Sequence, residues 1–153
     1  MPSGMESLCA ALRESVDRIT LGWVRRVQED TYLQRARSTL TLAQIVDHVP
    51  QMLEELCTLL GQEGEPDFET VRAASEHGYI RAAEGYTLTQ LLRELELLRN
   101  SVFDFVAETE LARGVGRPET IRALKLVNKY FGEDIIFVAE HFLKKRAERG
   151  DAG

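Results

Sequence analysis

The stretch SEHGYIRAAEGYTLTQLLRELELLRNSVFDFV, residues 75–106, holds the end of one helix and the start of the next, and its reading decides the fold. Leu88, Leu91, Leu92, Leu95, Leu98, Val102, Phe105 and Val106 recur at intervals of three and four, the period of an α-helix with a wide apolar face. Leu97 and Phe103 fall outside that face, so the helix has two apolar sides and calls for two partners. Its start is set by Thr87 and Gln90, a capping box in which hydroxyl and amide satisfy each other's free backbone N–H, with Tyr86 and Leu91 as the hydrophobic staple. Gly85 suits the left-handed end of the helix before it. That preceding helix, expected from Phe68 to about Glu84 with Asp67 as cap, carries the small residues Val71, Ala74, Ser75, Gly78 and Ala82 on one stripe. An interior glycine loses up to about 1 kcal/mol of helix propensity relative to alanine, which assigns Gly78 to a close helix approach.

Upstream, Thr41 and Gln44 form another capping box, with Leu40 and Ile45 as staple, opening a helix that buries Ile45, Val46, Val49, Leu53, Leu56 and Leu60. Pro50 inside it predicts a kink near His48 and Val49 because proline lacks an N–H and clashes with the preceding turn, and Gly61 closes it. Leu8, Leu12, Val16, Ile19, Trp23 and Val27 predict one long first helix. Downstream, Gly114 and Gly116 mark a loop and Pro118 the first residue of a last helix. Ile121, Leu124, Asn128, Phe131, Ile135, Val138 and Phe142 alternate by three and four, a heptad seam expected to pair with a second copy. Asn128 either fixes the register of that seam or faces water near Gly132, and a second stripe holds Val127, Tyr130, Phe137 and His141. No alternating strand pattern occurs. The expected fold is all-α: one globin-like or up-and-down bundle of about five helices over 1–153, with a core over about 5–110 and a C-terminal dimerisation and output helix over about 118–149.

Composition narrows function. The 153 residues are 44% apolar and 29% charged, the profile of an ordinary globular domain. Twenty-five acidic against 19 basic residues give a net charge of −6, with basic side chains interspersed among acidic ones, so a nucleic-acid surface is not expected. Cys9 and Cys57 lack metal or disulfide spacing and read as buried thiols of a cytoplasmic protein. The first residues lack the features of a signal peptide, and no run reaches the roughly 20 apolar residues of a membrane span. His48, His77 and His141 have no metal-type partner three or four residues away, and nucleophile elbows and phosphate loops are missing. Neither enzymatic activity nor a metal or cofactor is expected. Trp23, Phe131, Phe137 and Phe142 read as core or interface, with a cofactor pocket as the alternative.

The densest polar group is His77, Gly78, Arg81, Glu84, Gly85, Glu94 and Arg99. In one reading Glu84, Glu94 and Glu96 form exposed pairs with Arg81, Arg93 and Arg99, worth a few tenths of a kcal/mol each. In the other, Arg81 and Glu94 form a fixed ion pair at the Gly85 corner, with His77, one turn before Arg81, beside it. His48 reads as an exposed polar residue, and His141 as a favourable dipole contact late in its helix.

This sequence of His77, Arg81, Gly85, Tyr86, Leu91, Leu92, Glu94, Leu98 and Arg99 resembles the N-terminal domain of the RsbT co-antagonist family, the RsbR and RsbRD proteins of bacterial stress signalling. The same domain heads many bacterial sensor histidine kinases. LAQIVDHVPQMLEEL resembles the family's helix with an internal proline, through Val49, Pro50, Leu53 and Leu56, and LKLVNKYFGEDIIFVAEHFLKKR its long helix leading to an output domain. The likeness spans about Leu40 to Arg146, with Leu95 standing where members often carry an aromatic. It implies an all-helical sensory domain that forms a homodimer, generally binds no haem, and regulates a downstream output domain or signalling partner. Since no STAS, kinase or receiver sequence follows, the expectation is a sensor domain of a longer protein or a free-standing regulator. Two other readings centre on His77: a globin-like sensor binding haem or a small apolar molecule, and a phosphotransfer domain. The second lacks the His-x-x-Lys-Gly arrangement, Arg81 standing four residues on.

Overall fold

The computed structural model describes residues 3–62, 67–68, 73–148 and 150, and every regular element among them is an α-helix. The single first helix expected from the sequence is two: α1 (Gly4–Glu14), opened by a Ser3–Glu6 capping box, and α2 (Val16–Glu29). The break is at Ser15, whose N–H bonds back to the Leu12 carbonyl at 3.1 Å. The apolar stripe survives it, and Leu8, Leu12, Val16, Ile19, Trp23 and Val27 are all buried. After the short α3 (Gln34–Arg37), the Thr41–Gln44 box opens α4 (Leu42–Val46).

The kink expected at Pro50 is a complete break. Asp47 adopts φ 45° and ψ −122°, the only positive φ among described non-glycine residues, and a new helix, α5 (Val49–Gly61), begins two residues later. Pro50 is its second residue, where a missing N–H goes unnoticed because first-turn donors have no partner inside the helix.

The next helix is expected from Phe68 with Asp67 as cap, yet neither residue is helical; 69–72 lie outside the described residues, and the described helix is α6 (Ala73–Ala83). Its end is a Schellman motif: the Tyr86 N–H reaches the Arg81 carbonyl at 3.1 Å and the Gly85 N–H the Ala82 carbonyl at 3.2 Å, with Gly85 at φ 89°. The Thr87–Gln90 box then opens α7 (Leu88–Arg113), which Gly114 ends at φ 64°, and α8 (Arg117–Glu148) has Pro118 as its second residue. Gly78 does mark a close approach: a Cβ there would lie 3.1 Å from Val138 Cγ1 and 3.2 Å from the Val138 carbonyl oxygen.

As its two apolar sides require, α7 packs on α1 and α2 on one side and α8 on the other. α5 lies against α1 and α2 and also against α6 and α8. The last helix therefore belongs to the core, which does not stop near residue 110, and the heptad stripe is not one free seam. Phe131, Val138 and Phe142 are buried in the chain's own core beside Val127 and Tyr130 of the second stripe. Ile121 and Asn128 are exposed, and Leu124 and Ile135 half-buried. A seven-residue repeat drifts by roughly 20° per heptad around a straight helix, so a stripe of three heptads starts on the outside and ends within. No described helix is long and apolar enough to cross a membrane.

Candidate functional site

Where α4, α6 and α7 meet, the core holds a polar corner. Arg81, at the last turn of α6, and Glu94, in the second turn of α7, are both fully buried. Arg81 Nε donates to Glu94 Oε2 at 2.9 Å. Its Nη1 donates to the Gln44 carbonyl at 2.7 Å and to Glu84 Oε2 at 2.9 Å, and its Nη2 to the Ile45 carbonyl at 2.7 Å. Those two carbonyls belong to the last turn of α4, where helix carbonyls have no partner within the helix and the helix dipole is negative. One guanidinium thus caps α4, closes the α6–α7 corner, and leaves none of its nitrogens idle.

Glu94 is equally occupied. The Tyr86 hydroxyl donates to its Oε1 at 2.7 Å, and Trp23 Nε1 of α2 donates to its backbone carbonyl at 3.0 Å. His77, one turn before Arg81, is 1% exposed and lies between two carboxylates, Asp47 Oδ2 at 2.6 Å from Nδ1 and Glu94 Oε2 at 3.4 Å from Nε2. A neutral imidazole has one donor and one acceptor nitrogen, so only the imidazolium can donate to both. The electrostatics agree. Burial alone would lower the His77 pKa, but the hydrogen bonds to Asp47 and Glu94 outweigh it and hold it above the usual histidine value. Burial would likewise raise the Glu94 carboxyl, and the His77 hydrogen bond and the Arg81 charge bring it below its ordinary range. Asp47 is lowered in the same way by His77 and His48, whereas burial keeps Glu84 above its usual value despite Arg81.

Asp47 escaped the sequence reading. It sits on the break between α4 and α5, and its other oxygen meets His48 Nδ1 at 2.9 Å. His48 is therefore not a bare surface residue, since its Nε2 also faces Glu76 Oε2 at 2.9 Å. The local signal was an aspartate, a residue that tolerates positive φ, three positions before a proline; nothing in the spacing joins it to His77 thirty residues on. Of the predicted set, His77, Arg81, Tyr86 and Glu94 come together and Gly85 shapes their corner. Arg99 stands apart, its buried Nε without a hydrogen-bond partner among the described residues. Arg81 pairs with Glu94 and with Glu84 away from solvent, contrary to the exposed-pair reading of Glu84, while Arg93–Glu96, at 3.4 Å, lies on the surface.

The same residues that build the corner lie within the match to a known family. The model for the N-terminal domain of the RsbT co-antagonist protein RsbRD covers residues 17–153. The chain belongs to this RsbRD N-terminal domain family. The family implies a stressosome-type signalling domain. No curated protein and no solved structure matches the chain significantly. In this RsbRD N-terminal domain the pattern of His, Arg, Gly-aromatic and Glu that carries the likeness is one hydrogen-bonded unit tying four helices at a single point: α4 through its carbonyls, α6 and α7 through their side chains, and α2 through Trp23. No group of three or more histidine, cysteine or acidic side chains able to hold a metal occurs among the described residues.

Proposed function

We propose that this chain is a non-enzymatic sensory and dimerisation domain of a cytoplasmic signalling protein, working as a homodimer and passing its signal through α8 to an output domain or partner protein. The observation that carries the reading is the double role of α8. Its inner residues Val127, Tyr130, Phe131, Val138 and Phe142 are in the core, while Ile121, Ile136 and Leu143 stand exposed on its outer side at 45%, 56% and 57%. A second copy is the occupant chosen for that outer side, which also carries Asn128 and the open surface at Gly132, where a Cβ would meet nothing within 4 Å. A helix that shares one face with the core and another with a partner links changes in either, because packed helices hold a few discrete arrangements.

Use of His77 as haem ligand or phosphoryl acceptor has less support, since both ring nitrogens face carboxylates in a buried site. Light scattering with an absorbance spectrum tests the reading. The wild-type chain is expected to be a colourless dimer, and Ile136→Glu and Leu143→Glu, both at exposed positions, are expected to give folded monomers. A monomeric wild type removes the dimerisation role, and a Soret band removes the non-haem one.

A further inference from the structure

Asp134 lies on the inner side of α8 and is 1% exposed. Its Oδ2 meets no hydrogen-bond donor among the described residues. Among the described residues the titratable groups bearing on it are Glu55 from α5 and, from α8 itself, Tyr130 and Glu133; none from α1, α6 or α7, which also pack on α8, adds to them. Glu55 already accepts the Ala73 N–H at 2.9 Å, a bond an ionised carboxylate makes well. The Tyr130 hydroxyl, 3.3 Å from the Met52 carbonyl, also hydrogen-bonds the Asp134 carboxyl, which favours its ionised form but does not outweigh burial and the charge of Glu55. An ionised Asp134 would place a second negative charge beside Glu55, with its buried Oδ2 bonded to no donor among the described residues. A proton on the carboxyl removes that charge.

We infer that Asp134 is a buried proton-binding site, a neutral carboxylic acid at pH 7, and that its ionisation under mildly alkaline conditions loosens the seat of α8 on α5 and α6. Burial first, and then the charge of Glu55, push this carboxyl up to about 8. The unfolded chain releases the same proton near the ordinary value of 3.8. Between these values the folded state holds one proton more, so this group makes stability fall as pH rises from about 4 to about 8 and leaves it level above. The consequence for signalling rests on the reading of α8 as the transmitting helix, and the proton site itself does not.

The test is a carboxyl-carbon NMR titration of the folded chain with urea unfolding at each pH, on wild type, Asp134→Asn and Glu55→Gln. The Asp134 carboxyl is expected to titrate near pH 8, and lower in Glu55→Gln. The folding constant of Asp134→Asn relative to wild type is expected to grow by up to tenfold per pH unit between about 4 and 8 and to level off beyond. Backbone amide shifts along α8 should follow the same midpoint in wild type and stay still in Asp134→Asn. A carboxyl titrating near 4, or an Asp134→Asn variant less stable than wild type at pH 7, overturns the proton site and leaves the proposed function standing. Titration near 8 with moving α8 amides, but a dimer mass unchanged between pH 7 and 9, supports the proton site and removes dimerisation from what α8 transmits.

Discussion

Two regions of this core bury ionisable groups, and they solve the problem in opposite ways. At the α4–α6–α7 corner each buried charge meets an opposite one: Arg81 and the His77 imidazolium against Glu94, Asp47 and Glu84, with helix carbonyls and the Tyr86 hydroxyl filling the remaining positions. In the middle of α8, the titratable groups that face Asp134 among the described residues are acids and a phenol. The first is a lock, the second a group whose stable form is neutral. Burial alone does not set protonation; what sits opposite does. Glu94 and Asp134 are both carboxylates with about 1% exposure or less, yet one is held below its ordinary range and the other well above it.

The comparison breaks first at the lock. Arg81→Ala or Glu94→Ala leaves an uncompensated buried charge and is expected to destabilise the chain by about 3–5 kcal/mol in urea unfolding. The double variant should fall well short of the sum, because each single change already undoes the pair; simple additivity would mean the pair is not coupled. Asp134→Asn carries the opposite sign, a gain at pH 7 of up to about 4 kcal/mol, because the folded wild type must hold a proton that the unfolded chain has released over the roughly three pH units above its ordinary value of 3.8. For His77 the folded pKa is raised, so its contribution is complete below the unfolded value of 6.5 and is lost as pH rises through the folded value. The stability difference between wild type and His77→Gln should therefore be largest near pH 5.5 and shrink toward pH 8.5, with the Asp134 slope cancelling between the two chains.

Gly78→Ala sharpens the boundary between the two regions, since α6 carries the lock on one side and approaches Val138 of α8 on the other. The added Cβ meets Val138 at 3.1–3.3 Å, partly against backbone, so a loss of about 1 kcal/mol is expected in spite of the better helix propensity. The smallest effect belongs to Glu96→Ala at the exposed Arg93 pair, below about 0.5 kcal/mol by thermal unfolding, and a larger loss would show that surface pairs share the lock's energetics.

Much of the fold can be read from one turn of chain at a time. Thr41 with Gln44, Thr87 with Gln90, and Gly85 each act within four residues, so those boundaries follow from the local sequence. Boundaries without such devices were harder: Ser15 interrupts an unbroken apolar stripe, and Pro50 gives a full break where spacing allowed a kink. At the site, His77, Arg81, Gly85, Tyr86 and Glu94 lie within eighteen positions and were legible as a group. Asp47 and Trp23 were not, because their bonds span thirty and seventy-one positions and no period connects them.

The all-helical class, the caps and the two-sided α7 follow from local sequence, because hydrogen-bond periodicity and capping act over three or four residues. Which stripe of α8 faces inward is set by packing between distant elements, since Phe131, Val138 and Phe142 suit a partner's seam as well as their own core and the contacts with α5, α6 and α7 settle the choice. The same packing decides which charged residues are locked and which proton is held, because pKa depends on what lies across the space between helices.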